Sequence, residues 1–444
     1  MPRAHQACQD FHHASEAARR GALTRRQLIR QGVGGGLAIY AASALPLPQA
    51  FEAAAAEAAA APDAPILVSV FLPGGADLLD TLVPLQQWGP YNDARQGMAL
   101  AGAQPLGGTG LGLHPSLSKG PAGGLRGLYE RGLIGFLPGI DYANPNLSHF
   151  ASRGFWETGM VSQQAVSGWL GRWLDHHGSR DNPLQGVSSD HGLSPTLRSA
   201  HAPVSSVSGS AELWMRDVWG EWWEAALDGY WQLARPAPRR PGPSAAMEAA
   251  RLAHVVAAKL RPYRKEDDKP DPLASPVAYP ADNELGERLQ RLAGLLAQPL
   301  GIRIGTVESD GDFDTHGDQP ATLARDLGAL SEALAAFQAD LDARGLAQRV
   351  LTFVWSEFGR RPEGNRSRGS DHGAGGIAWV QGPRAAPGIL TEYPSLTALD
   401  DHDNLRVTVD FRRVYASLLA QWLGTDPAQV IPGAAAFGQV ALVR

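Results

Sequence analysis

The sequence predicts an α/β fold with a mainly parallel central sheet flanked by helices. Three observations carry that prediction. Residues 66–72, 133–137, 302–307, 349–355 and 377–380 form continuous apolar runs, not alternating ones. Continuous runs suit strands buried on both faces, as in parallel sheets. Leu323, Leu327, Leu330, Leu334, Phe337 and Leu341 step by four and three, which is one apolar helix stripe over about 321–344, with Gly345 as its stop. Strand and helix patterns then alternate along the chain, which is the α/β signature.

The first 50 residues read as an address. Thr24-Arg25-Arg26-Gln27-Leu28-Ile29-Arg30 precedes an uncharged, Gly- and Ala-rich stretch that runs to Leu47, and Pro48-Gln49-Ala50 offers a small-residue cleavage site. A long basic segment with paired arginines and a mild apolar region marks a twin-arginine export signal, with the twin-arginine translocase as partner and a periplasmic or secreted destination. Such export moves folded chains. Cys8, the single cysteine of the chain, falls inside this segment. After residue 50 there is therefore no disulfide, thiolate site or cysteine nucleophile. Cleavage would remove six arginines and two acids, moving the formal charge from −6 to about −10. That balance argues against nucleic acid or an anionic membrane as partner, and no stable membrane anchor is expected. Residues 51–62 read as an Ala/Glu tether.

The remainder, 63–444, reads as one large domain. Its first strand, 66–72, ends at Pro73-Gly74-Gly75, and Asp77 follows. Residues 125–131 read as a helix end with Gly132 as stop, and 133–137 as a strand closed by Pro138-Gly139. Phe411, Val414, Tyr415, Leu418, Leu419 and Trp422 form the stripe of a C-terminal helix that Asp410 can cap. From about 182 to 281 the pattern breaks. Trp214, Trp219, Trp222, Trp223 and Trp231 crowd together before a Pro-rich segment, which reads as an insertion with its own helices.

Functional groups gather where strands end. Asp77 follows the first strand, Ser148 and His149 the second, Asp314 and His316 the third, and Glu357 the fourth, while Asp371-His372 leads into the fifth. Open α/β sheets carry their chemistry at the carboxyl ends of strands. The loop after the third strand holds Glu308, Asp310, Asp312, Asp314 and His316. Such a concentration of acid calls for solvent, a proton or a cation. Carboxylates with imidazoles are a ligand set for a divalent metal, with zinc or manganese preferred. Calcium would suit the oxygen-rich loop but not the imidazoles. Ser148, after the turn Asn144-Pro145-Asn146, can open a helix. There it is either an N-cap or a hydroxyl nucleophile activated by a metal or by His149.

Several segments together resemble one known family. They are 71–77, 112–117 with His114-Pro115, 144–150, 155–159, 168–174, 313–316, 356–361, 371–373 and 410–419. The chain is similar to the Tat-exported, sulfatase-like family called domain of unknown function 1501, a branch of the alkaline phosphatase superfamily. The resemblance spans 66 to about 433. It implies an alkaline phosphatase/sulfatase-like layout, with metals at strand ends and a hydroxyl nucleophile beside them. Asp77, Asp314, His316 and His372 match ligand positions of that layout, with Asp312 as an alternative to Asp314. The later carboxylate–histidine pair falls on Glu357 and Phe358, and phenylalanine cannot ligate. The signature of true sulfatases, a modified cysteine or serine before Pro-x-Arg, is absent. The resulting expectation is a metal-dependent hydrolase of a small anionic ester, phosphate or related. Its rival is a non-catalytic exported binding or assembly protein with a degenerate site.

Overall fold

The computed structural model describes residues 63–180, 182–190, 192–207, 256, 259–265 and 268–444. The export signal, the tether and the five clustered tryptophans fall outside the described residues. A nine-stranded sheet organises the chain. Its strands are β1 (Ile66–Phe71), β2 (Ile134–Asp141), β3 (Gly186–Ser188), β4 (Ser205–Ser206), β5 (Ile304–Glu308), β6 (Val350–Trp355), β7 (Gly376–Gln381), β8 (Gly388–Ile389) and β9 (Val409–Asp410). Across the sheet the order is β8-β2-β7-β6-β1-β5-β3-β4, with β9 also against β2. Strand β7 is antiparallel to both β6 and β2, and the other pairings are parallel. The mainly parallel sheet read from the apolar runs is the sheet that forms.

Two boundaries differ from the sequence reading. Strand β2 does not stop at Pro138-Gly139 but continues to Asp141. Its pairing with β7 shifts register between Gly376 and Ile377, opposite Ile140 and Pro138. An irregularity at that point tolerates a residue with no N–H to donate. Strands β3 and β4 lie within 182–281, yet both belong to the main sheet. The sheet therefore extends past Asn182, and these short strands lacked an apolar run long enough to announce them.

The longer helices among the described residues are α1 (Trp88–Arg95), α2 (Gly124–Glu130), α3 (His149–Thr158), α4 (Trp169–His177), α5 (Glu284–Leu296), α6 (Gln319–Ala343) and α7 (Phe411–Ser417). Alternate residues of β1 feed two cores. Val68 and Val70 join the α5 and α6 side, where the predicted stripe Leu323–Leu341 is buried. Leu67 and Phe71 join Trp156, Trp169, Trp173 and Tyr415 of α3, α4 and α7. Asp410 caps α7 through the Arg412 N–H, as read from the sequence. With both faces covered, the carboxyl ends of β1, β2, β5 and β6 remain as the place for chemistry.

Candidate metal centre

The turn after β1 brings the loops together. Gly74 and Gly75 both hold positive φ, at 111° and 76°. A Cβ on Gly74 would strike the Asp314 backbone, and one on Gly75 would strike the Phe358 ring. Only glycine allows this approach. Behind the turn stands Glu357, buried after β6. Its carboxylate accepts the N–H groups of Gly74 and Gly75.

Around this point three imidazoles converge on Asp314. His149, the first residue of α3, places Nδ1 2.8 Å from Glu357 Oε1 and Nε2 3.4 Å from Asp314 Oδ2. His372 lies on a short strand (Ser370–Gly373) that pairs with Gly359–Gly364. Its Nδ1–H donates to the Leu147 carbonyl at 2.8 Å, and its Nε2 is 3.0 Å from Asp314 Oδ1. His316 sets Nδ1 3.2 Å from Asp371 Oδ1 and Nε2 3.1 Å from Asp314 Oδ1. The Nε2 atoms of His316 and His372 are 2.9 Å apart.

The pattern has one meaning for the tautomers. Each Nδ1 faces an oxygen acceptor, so toward the same carboxylate each Nε2 presents a lone pair when its ring is neutral and an N–H when it is protonated. Two such nitrogens facing at 2.9 Å repel unless a proton or a cation lies between them. His149 Nε2 is buried beside the Asp314 carboxylate, 3.4 Å from Oδ2. Bonds of about 2.1 Å to a first-row ion place neighbouring ligand atoms about 3.0–3.4 Å apart, which is the spacing found. His149, Asp314 and His372 form a group able to hold a metal ion, and His316 Nε2 lies beside it at the solvent side, 3.1 Å from Asp314 Oδ1.

The electrostatics agree. Burial opposes ionisation of Asp314, but hydrogen bonds from His149, His316 and His372 with the Arg360 charge hold its carboxyl far below the usual range. Burial likewise opposes protonation of His149, yet hydrogen bonds to Asp314 and Glu357 push it up to about 9. The hydrogen bond to Asp314 raises His316. Without a cation the centre therefore holds protons, and an entering ion must displace one.

The structure sorts the sequence-predicted residues. Asp314, His316 and His372 lie together. Glu357 sits behind His149 as its hydrogen-bond acceptor, the usual outer partner of a metal-binding imidazole. Asp77 does not reach the cluster. Its carboxylate caps the helical turn Leu78–Thr81 and accepts from Arg95 at 2.8 Å and Gln319 at 2.7 Å. Asp312 also stays apart, accepting the Asp314 N–H and exposed to solvent. Ser148 is exposed at the start of α3, makes no side-chain capping bond, and lines a groove of about 370 Å3 with Phe150, Ala151, Phe155 and Val166. His149 was read only as a base for Ser148. Its place as first helical residue after a strand-end turn was the signal for more. Arg360 carried no signal as a site residue, and Asp371 was read only as the neighbour of His372 on the loop into the fifth strand.

Comparison with known proteins adds the lineage. The family model described as protein of unknown function (DUF1501) matches residues 139–435, more than half of the chain. The chain belongs to the DUF1501 family. The match contains every residue of the imidazole cluster, while Asp77 lies before it. Among solved structures, this DUF1501 protein is similar to a 2-O GAG sulfatase, at 9% identity, 82% of this chain, 71% of that one and a TM-score of 0.32. It is also similar to a phosphonate monoester hydrolase from Silicibacter pomeroyi, at 12% identity, 83% and 75% coverage and a TM-score of 0.28. Neither likeness speaks to the chemistry of this chain. No curated protein sequence matches it.

Proposed function

We propose that this DUF1501 protein is an exported, divalent-metal-dependent hydrolase of phosphate or related esters, with zinc or manganese as the ion. One observation carries the metal reading: three imidazoles with occupied Nδ1 atoms turn their Nε2 atoms toward one carboxylate. His149, Asp314, His316 and His372 would hold the ion. When bound, it would polarise an ester oxygen and lower the pKa of a water or hydroxyl. The protein's own part is orientation. Glu357 keeps the His149 Nδ1 proton in place, and Asp371 and the Leu147 carbonyl do the same for His316 and His372. Access is from the His316 and Asp371 side, where the side chains are 46% and 58% exposed. A small anionic ester can enter there, beside the α3 N-terminus. Export through the twin-arginine translocase to the periplasm remains part of the same reading, since it delivers a folded, metal-loaded chain.

A second reading keeps the ion and drops turnover. It is favoured by Ser148, whose hydroxyl lines a groove that His149 does not. One experiment separates the two. Protein purified from the periplasm is analysed for metal and assayed on aryl phosphate, phosphonate and sulfate esters, before and after chelation. Turnover that chelator removes and zinc or manganese restores supports the hydrolase. Bound metal with no turnover on the panel supports the binding protein, and absence of metal removes both.

A further inference from the structure

The cluster contains a positive charge that no ion has to supply. Arg360 is buried, with no exposed side-chain surface. Its Nε donates to the Gly75 carbonyl, Nη1 to that of Ser370, and Nη2 to those of Gly74 and Phe313 and to Asp314 Oδ1. One guanidinium thus ties together the loops after β1 and β5 and the strand that carries His372. Guanidinium does not deprotonate in proteins, so this charge is permanent. It shares Asp314 Oδ1 with His316 and His372.

We propose that the centre holds a single divalent ion, with the Arg360 guanidinium as its fixed companion cation that keeps a second ion out. The inference rests on the metal reading above and deepens it. The buried carboxylates nearby are committed, and those of Asp312 and Asp371 face solvent. Glu357 accepts from Gly74, Gly75, Ser356 and His149. Asp371 accepts from Asn365 and faces His316 Nδ1. Asp77 is held by Arg95, Gln319 and Ser370. The remaining space is apolar. The Phe358 ring, 1% exposed, lies 4.8 Å from the His149 ring and 4.7 Å from the His372 ring. A second ion would find no uncommitted buried carboxylate, and it would face both the first ion and Arg360 across the shared Asp314. Two divalent ions repel four times as strongly as two unit charges at the same distance.

The test is a count that requires no activity. Apoprotein is loaded with excess manganese, desalted, and analysed for metal per chain and by electron paramagnetic resonance. The expected result is one ion per chain with the hyperfine pattern of an isolated ion. Two ions, or the spectrum of a coupled pair, would overturn the inference while leaving the metal reading intact. No ion would remove both. Phe358→His then offers a new imidazole beside His149 and His372. If Arg360 is the excluding group, this variant still holds one ion, and uptake of two overturns its role. Phe358→His combined with Arg360→Gln should take up a second ion. A folded double variant that stays at one ion also overturns the role. Should the double variant not fold, the counts for the parent and Phe358→His decide.

Discussion

Asp77 and Asp314 stand at the carboxyl ends of neighbouring strands, each beside a buried arginine, yet the two regions have opposite characters. Asp77 is 1% exposed and shares its surroundings with Asp80, Arg95, Tyr91 and Gln319, and each carboxylate oxygen already has donors. Asp314 is 39% exposed on its side chain and faces three imidazole nitrogens that can exchange a proton for an ion. The first region is a closed ion-pair network that fixes the turn after β1. The second is open to solvent and gathers three imidazoles around its carboxylate. The residue type is the same, and what differs is how many donors the neighbours supply.

Removing Arg95 gives the largest way to sharpen that contrast. Arg95→Met leaves Asp77 and Asp80 buried without their counter-ion, and breaking such a pair costs about 3–5 kcal/mol. Urea denaturation should show that loss while manganese still binds. A loss under about 1 kcal/mol, or a lost ion, would show that the two regions are not separate.

Next comes Glu357. Glu357→Gln keeps the shape but weakens the hold on His149 Nδ1, and changes to such outer partners cost about 10–100-fold in metal affinity. Competition with a fluorescent chelator measures this. Asp77→Asn should leave the same affinity within about twofold, because Asp77 has no contact with the imidazoles; equal losses for both would erase the distinction.

Two histidines give a contrast in pH. In metal-free protein the folded pKa of His149, about 9, lies above the ordinary 6.5, so its stabilisation is complete below about 6.5 and is lost as pH rises through 9. His114 is buried away from the cluster. Burial, with a smaller effect from Lys119, lowers it to about 4, so its contribution is present above 6.5 and is lost as pH falls through 4. Melting temperatures in chelator across pH 3.5–10 should show both slopes. His149→Ala should flatten the alkaline slope alone, and saturating manganese should suppress that slope as well, since the ion displaces the proton.

The smallest effect belongs to Ser148. An N-cap serine contributes about 1 kcal/mol, but this hydroxyl makes no capping bond, so Ser148→Ala should change stability by less than about 0.5 kcal/mol. If the variant also keeps any measured ester hydrolysis, the nucleophile is not this hydroxyl.

Much of the frame was legible in the sequence because it depends on local patterns. Unbroken runs such as 66–72 announced buried parallel strands, and the Leu323–Leu341 stripe announced α6. The gathering of acids and imidazoles at strand ends followed from the α/β layout. Strands β3 and β4 were hidden because two or three residues are too few to show a period.

Sequence alone determined the α/β class and named the short set of residues from which a candidate metal centre could be drawn. Only the tertiary structure decided which of them are free to bind. Glu357 is taken by the N–H of Gly74, 283 residues away, and Asp77 by Gln319, 242 residues away. A carboxylate is a ligand only if its lone pairs remain unclaimed, and an imidazole only if an acceptor fixes its other nitrogen. Both conditions are set by contacts across the fold, where sequence spacing carries no information.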